Sequence, residues 1–151
     1  MKGGEKMKIA VGSDHAGFRL KEQVCKYLEG QAFTCKDLGV FSEESADYPD
    51  LALAVASAVQ SGEYDYGILI CGTGIGMSIA ANKNTGIRAA LCGDPYSAKC
   101  AREHNNANIL TMGSRVIGPG LAMEIVAQFF NTAFSGGRHS NRLHKIEKLE
   151  T

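Results

Sequence analysis

The sequence predicts an α/β fold: a Rossmann-like three-layer α/β/α sandwich. Its sheet is mainly parallel and of about five strands, with helices on both faces and a further helix at the C-terminus. Three observations carry this. Short apolar runs alternate with longer amphipathic stretches, and the alternation recurs along the whole chain. The clearest run, Tyr66-Gly67-Ile68-Leu69-Ile70, is uninterrupted, as a strand covered on both faces should be. Turns rich in Gly or Asp follow the runs directly, which is where open α/β sheets bind ligands.

The elements follow in order. Met7-Lys8-Ile9-Ala10-Val11 is a first strand ending at Gly12-Ser13-Asp14. A helix follows, with Leu20, Val24, Tyr27 and Leu28 on one face and Gly30 as the stop. Phe33 to Leu38 reads as a strand, and residues 39–50 as a loop rich in Ser, Glu and Asp. An Ala- and Val-rich helix spans Leu51 to Gln60, after Pro49-Asp50. The run from Tyr66 enters Cys71-Gly72-Thr73-Gly74-Ile75-Gly76, and a short helix is expected from Met77 to Asn82. Ile87 to Cys92 is a strand, and Asp94-Pro95 supplies an N-cap and an N1 proline for a helix ending near His104. Asn108 to Met112 is the fifth strand and Leu121 to Phe130 an apolar helix. From Ser140, Leu143, Ile146 and Leu149 share one face of a last helix.

Composition narrows the function. The 151 residues carry 16 basic and 16 acidic side chains, so the formal net charge is zero. That balance lacks the footprint of a dedicated nucleic-acid binder. No run approaches the ~20 apolar residues that cross a bilayer, so no membrane partner is expected. The length suggests one domain over 1–151, with residues 1–6 reading as a frayed extension. Glycine is abundant at 18 while proline is only 3, which points to turns and binding loops rather than disorder. The five cysteines are odd in number and lack C-x-x-C spacing. No apolar h-region follows the polar start, so a reduced, cytoplasmic setting is expected.

The glycine loop Gly72-Thr73-Gly74-Ile75-Gly76 joins a strand to a helix. Successive N–H groups there can form an anion-binding nest; a tight turn without a ligand is the plainer alternative. Met77 stands where G-x-G-x-x-G needs its third glycine, so the dinucleotide fingerprint is broken, and Walker A is absent. Cys71 lies at the mouth of the nest, where a helix N-terminus favours a thiolate able to act as nucleophile or base. A small buried hydrophobe is the alternative. Cys25, Cys35, Cys92 and Cys100 are assigned to packing.

Asp14-His15 follows the first strand and could shuttle protons or hold hydroxyls. Alternatively, Ser13 or Asp14 caps the helix and His15 is solvated. His104-Asn105 ends a helix, where a cationic His complements the dipole. Arg115 follows the fifth strand. Arg138 and Arg142 are four apart and could converge on a phosphate if helical; a solvated charged face is the alternative. No H-x-x-x-H or H-E-x-x-H spacing occurs, so no metal is expected.

These motifs coincide with one family. Gly12-Ser13-Asp14-His15-Ala16-Gly17-Phe18, Asp47-Tyr48-Pro49 and the block from Ile70 to Lys83 resemble sugar-phosphate isomerases of the ribose-5-phosphate isomerase B type. Gly86-Ile87-Arg88-Ala89, His104-Asn105, Gly113-Ser114-Arg115 and Gly136-Gly137-Arg138-His139 continue the match, in order, to about the last ten residues. The long block from Cys71 to Lys83 is the specific part.

The resemblance implies interconversion of ribose 5-phosphate and ribulose 5-phosphate through a cis-enediolate, without metal, nucleotide or other cofactor. It implies Cys71 as general base assisted by Thr73, and His104 as the acid that opens the furanose ring. Asp14 falls among the catalytic and sugar-binding positions. His15, Tyr48, Gly72, Gly74, Ile75, Gly76 and Asn105 match further substrate-binding positions. Arg115, Arg138 and Arg142 match positions that contact the substrate, its phosphate above all. It also implies a homodimer, with dimers of dimers an open question, whose sites draw on both chains, so that His104 serves the partner's Cys71.

An enediolate is an anion that develops during the reaction, and N–H groups aimed at it are worth about 2.7–4 kcal/mol each in comparable oxyanion holes. The nest then serves the reacting oxygens and the arginines the phosphate. The family also contains galactose- and allose-6-phosphate isomerases, so a six-carbon substrate is the runner-up. A nucleotide-binding module or a non-catalytic sugar-phosphate sensor on the same fold are the remaining alternatives.

Overall fold

The structure is a computed structural model and describes residues 6–150. The expected frayed extension therefore lies outside the described residues, apart from Lys6. In chain order the strands are β1 (Met7–Ser13), β2 (Phe33–Asp37), β3 (Tyr66–Cys71), β4 (Ala89–Leu91) and β5 (Ile109–Gly113). The helices are α1 (Phe18–Glu29), α2 (Tyr48–Gln60), α3 (Ile75–Ala81), α4 (Pro95–Glu103), α5 (Pro119–Phe130) and α6 (Arg138–Glu147).

The strands form one parallel sheet in the order β2-β1-β3-β5-β4. The chain steps outward from β1 to β2, then returns to place β3 on the other side of β1. With right-handed crossovers, each reversal of direction moves the connecting helix to the opposite face. Side-chain alternation agrees. Ile9, Val11, Ile68, Ile70, Leu110 and Met112 meet Leu20 and Val24 of α1, Ala98 of α4 and Ile125 and Phe129 of α5. Ala10, Leu69, Cys71 and Ile109 point the other way, onto Val55 and Val59 of α2 and Met77 of α3. The expected three-layer sandwich is the observed one.

Several expected boundaries are corrected. β1 runs on through Gly12 and Ser13, because both pair with β3. β4 is three residues long rather than six. Arg88 is held at its start by the Asn108 side chain, whose Oδ1 accepts the Arg88 N–H at 2.7 Å in place of a ladder bond. α2 starts at Tyr48, with Pro49 in its first turn, where a missing N–H costs nothing. α3 starts at Ile75, two residues early, so Gly76 belongs to the helix. α5 starts at Pro119. α6 starts at Arg138 and ends at Glu147; Leu143 is buried, but Ile146 is exposed and Leu149 lies past the helix, exposed. The Asp94 cap is as expected, its Oδ1 accepting the Ser97 N–H at 2.7 Å.

One buried contact had no sequence signal. Lys21 of α1 is fully buried. Its Nζ lies 2.7 Å from both carboxylate oxygens of Asp37 and 2.5 Å from the Val40 carbonyl, which uses all three of its donors. The loop it holds is bonded in turn to β1: the Ser13 N–H donates to the Gly39 carbonyl at 2.8 Å, and the Val40 N–H to the Ser13 carbonyl at 3.0 Å. Lys21→Met should therefore leave Asp37 Oδ2 and the Val40 carbonyl without a partner, with only the Gly39 N–H kept on Oδ1, and cost roughly 2–4 kcal/mol in urea unfolding. An unchanged midpoint and slope would contradict this.

Candidate active site

The crevice opens where the chain turns to opposite sides of the sheet after β1 and after β3, the switch point at which such sheets bind ligands. The Asp14 N–H donates to the Ile70 carbonyl at 3.3 Å, which sets Asp14 beside the end of β3. Asp14 is buried, and its Oδ1 accepts the Gly17 N–H at 3.1 Å. The capping alternative is thus corrected: Gly17 is the N-cap of α1 and no side chain caps it. His15 is half-buried rather than solvated. Its Nδ1 accepts the Ala46 N–H at 3.2 Å, which ties it to the 39–47 loop and leaves the neutral ring's proton on Nε2.

Cys71 closes β3 and is buried, its side chain on the α2–α3 face. Sγ accepts the Gly74 N–H at 3.1 Å, the kind of contact a thiolate takes up. Gly74 is the N-cap of α3, with φ +82°, a left-handed conformation that favours glycine. A Cβ there would also meet Leu91 Cδ1 at 2.5 Å and the Met112 carbonyl carbon at 2.8 Å. Thr111 Oγ1 donates to the Gly74 carbonyl at 3.0 Å and fixes the loop from below. Thr73 is exposed beside it, its Oγ1 accepting the Ile75 N–H at 3.2 Å. The Tyr48 ring packs on Gly76, so closely that a Cβ on that glycine would lie 2.5 Å from Cε1. Arg115 lies along the other side of the loop, its Nη1 3.3 Å from where a Gly72 Cβ would be. Asp14, His15, Tyr48, Cys71, the 72–76 segment and Arg115 are thus brought together at the carboxyl edge of the sheet.

His104, Asn105, Arg138 and Arg142 are not. His104 is the C-cap of α4, and α4 runs back from the carboxyl edge to the amino end of β5. The length of β3 separates the two edges, about 16 Å at 3.3 Å per residue. At the amino edge the Ser135 N–H donates to the Glu103 carbonyl at 3.0 Å and brings the start of α6 against His104. The His139 ring stacks on His104 with centroids 4.6 Å apart and 16° between planes. Arg138 and Arg142 are both helical, as their convergence on a phosphate requires, and both are exposed. Desolvation, and then the neighbouring His104, Arg138 and Arg142, hold the His139 imidazole below its usual range.

Some side chains at these edges had no expected role. Ser114 Oγ donates to the Ala16 carbonyl at 2.8 Å and lies 3.2 Å from the Cys71 carbonyl, stitching the Asp14 loop to the end of β3. Its position directly after the fifth strand was the available signal. Ser13 Oγ is buried at the same edge without a hydrogen-bond partner. His139 was grouped with the basic cluster, and nothing in the spacing marks its stacking on His104.

Of the cysteines assigned to packing, Cys92 fits, its thiol pushed up to about 12 by burial. Cys25 and Cys35 are half-buried against the core; each thiol acts on the other, which raises Cys25 and lowers Cys35. Among the described residues no three His, Cys, Asp or Glu side chains gather to hold a metal ion, and no helix is long and apolar enough to cross a membrane.

Comparison with known proteins bears on this geometry. Residues 9–146 match the family model described as Ribose/Galactose Isomerase. The chain is 50% identical over 143 residues to ribose-5-phosphate isomerase B of Escherichia coli, covering 95% of this chain and 96% of that protein. It is 45% identical over 145 residues to D-erythrulose-4-phosphate isomerase of Pectobacterium atrosepticum, covering 95% of each. Among solved structures, ribose-5-phosphate isomerase B of Clostridium thermocellum superposes with a TM-score of 0.94 at 52% identity, covering 95% of this chain and 97% of that one. The fold, the carboxyl-edge cluster and these matches together place the chain in the ribose/galactose isomerase family, and it is an isomerase.

Proposed function

We propose that this enzyme interconverts ribose 5-phosphate and ribulose 5-phosphate, with Cys71 as the base that moves the proton between C2 and C1. The supporting observation is the Cys71 side chain itself, buried at the switch point with an amide N–H on its sulfur and a glycine loop beside it. In the forward direction the thiolate takes the C2 proton of the open-chain aldose. The electron pair forms the C1–C2 double bond of an enediolate as the C1 carbonyl oxygen becomes an oxyanion. The O2 proton then passes to O1, the C2 carbonyl forms, and the thiol returns its proton to C1 to give the ketose. Amides of the 72–76 loop stabilise the developing oxyanions, and Thr73 assists the base. Asp14 and His15 hold sugar hydroxyls, and Tyr48 closes the wall over Gly76.

The phosphate and the ring-opening acid come from a second copy in this reading. Asn105, Arg138 and Arg142 belong with His104, some 16 Å from Cys71 by the strand rise, whereas a five-carbon sugar phosphate spans roughly three residues of extended chain, about 10 Å. The exposed apolar side chains of Ile75, Ile79 and Leu91 beside the crevice suit a homodimer interface that brings the partner's amino edge to this carboxyl edge. Arg115, already on the glycine loop, contacts substrate from this chain. The five cysteines are all free, in keeping with a reduced, cytoplasmic setting.

An isomerase assay with EDTA present, comparing ribose 5-phosphate with allose 6-phosphate and galactose 6-phosphate, tests the substrate. The highest kcat/KM is expected for ribose 5-phosphate; preference for a six-carbon sugar would change the substrate and keep the chemistry. Cys71→Ala should lower kcat by about 10³-fold while the protein stays folded, the scale of a lost general base. Near-normal kcat would sink the assignment. Arg142→Ala should raise KM about tenfold with a smaller effect on kcat, since a phosphate contact persists through the reaction. An unchanged KM would return Arg142 to a solvated face.

A further inference from the structure

The turn that carries His104 and Asn105 is held from behind by side chains that lie outside the substrate-contacting set. Asn106, the next residue, has φ +47°, and is the one non-glycine residue with positive φ among those described. Asparagine tolerates this conformation better than most residues, and it reverses the chain between α4 and β5. Arg102, in the last turn of α4, is only 6% exposed. Its Nη1 donates to Asn106 Oδ1 at 2.9 Å and to the Ala107 carbonyl at 2.6 Å, and its Nη2 donates to the Tyr66 hydroxyl at 3.0 Å. The guanidinium lies over the Tyr66 ring at 4.9 Å and the Phe129 ring at 5.8 Å, which fixes its plane. From the other side Arg88 Nε donates to the Asn106 carbonyl at 2.8 Å.

Packing alone does not ask for this arrangement. A buried charge among neutral acceptors is costly, and an apolar side chain of the same volume would serve a core as well or better. A planar fork with fixed donors does something an apolar side chain does not: it fixes the orientation of the chain it binds. The chain bound here is the turn two residues beyond His104. The His104 ring itself stacks on His139, and the backbone that carries it leads straight into the clamped turn.

We propose that Arg102 and Asn106 are positioning residues: they touch no substrate, and they hold the His104–Asn105 turn in the orientation that lets His104 open the sugar ring. This rests on the assignment of His104 as the ring-opening acid.

Two rates separate the proposal from a loss of stability. Conversion of ribose 5-phosphate requires ring opening followed by proton transfer. Deuterium incorporation at C1 of ribulose 5-phosphate in D2O requires proton transfer alone, because that ketose has its O5 blocked by phosphate and stays open-chain. Arg102→Met keeps the packing and deletes the donors, and Arg102→Lys keeps the charge without the fork. Asn106→Gly keeps the left-handed backbone and removes the acceptor, and serves if Arg102→Met does not fold.

For Arg102→Met and Asn106→Gly, conversion is expected to fall roughly 10–100-fold, the scale of a misplaced catalytic group. Deuterium exchange should fall no more than about threefold, and Arg102→Lys should lie between Arg102→Met and the unmodified enzyme. His104→Ala should show the same selective pattern. If His104→Ala loses both rates equally, the ring-opening assignment fails and takes the proposal with it. If His104→Ala is selective while Arg102→Met and Asn106→Gly lose both rates together, or neither, the proposal alone is overturned.

Discussion

All five strands point the same way, and the rest of the molecule follows from that constraint. Whatever comes directly after a strand lies at one edge of the sheet, and whatever leads into a strand lies at the other. Asp14, Cys71 and Arg115 follow strands, so they meet at the carboxyl edge. His104 and Asn105 lead into β5, so they cannot join them within one chain. The sheet thereby separates a half that carries Cys71 and the glycine loop from a half that carries His104, Arg138 and Arg142. The division is a property of the topology, and rotation of side chains does not remove it.

Each edge is held by its own set of contacts. At the carboxyl edge Ser114 joins the Asp14 loop to β3, Thr111 holds the Gly74 carbonyl, and Lys21 fastens the 39–40 loop to the end of β1. At the amino edge the Arg102 clamp and the bond from Ser135 to Glu103 do the corresponding work. Four of these, from Ser114, Thr111, Lys21 and Arg102, are donors from buried or half-buried side chains to backbone carbonyls. Such bonds fix the path of the chain, which is what a site built from backbone amides requires.

Much of this was legible in the sequence. The strands could be read because buried parallel strands are continuous apolar runs, and Tyr66 to Ile70 is the plainest of them. The α4 cap could be read because Asp94-Pro95 is a local signal that needs no tertiary information. The glycine loop and Cys71 could be read because they follow a strand. Boundaries were less legible where tertiary bonds overrode local pattern. Gly12 and Ser13 read as a turn but pair with β3, and the Arg88 N–H goes to the Asn108 side chain. The Asp14 cap failed because the loop turns back to the Gly17 amide before the helix begins. Lys21, Ser114 and the pairing of Cys25 with Cys35 join residues distant in sequence, and neither spacing nor composition encodes such contacts. The candidate site residues were readable as two sets of motifs; their placement at opposite edges needed the topology.

The central claim is that one site is completed by two chains, and complementation between inactive variants tests it most directly. Cys71→Ala and His104→Ala proteins are mixed in equal amounts, allowed to exchange subunits, and assayed on ribose 5-phosphate. In a mixed dimer one site carries both substitutions and the other carries neither. With random exchange the account expects recovery toward about a quarter of the unmodified activity. If Cys71 and His104 served the same chain's substrate, every site in the mixture would keep one substitution. Activity no greater than the mean of the two variants would contradict the account.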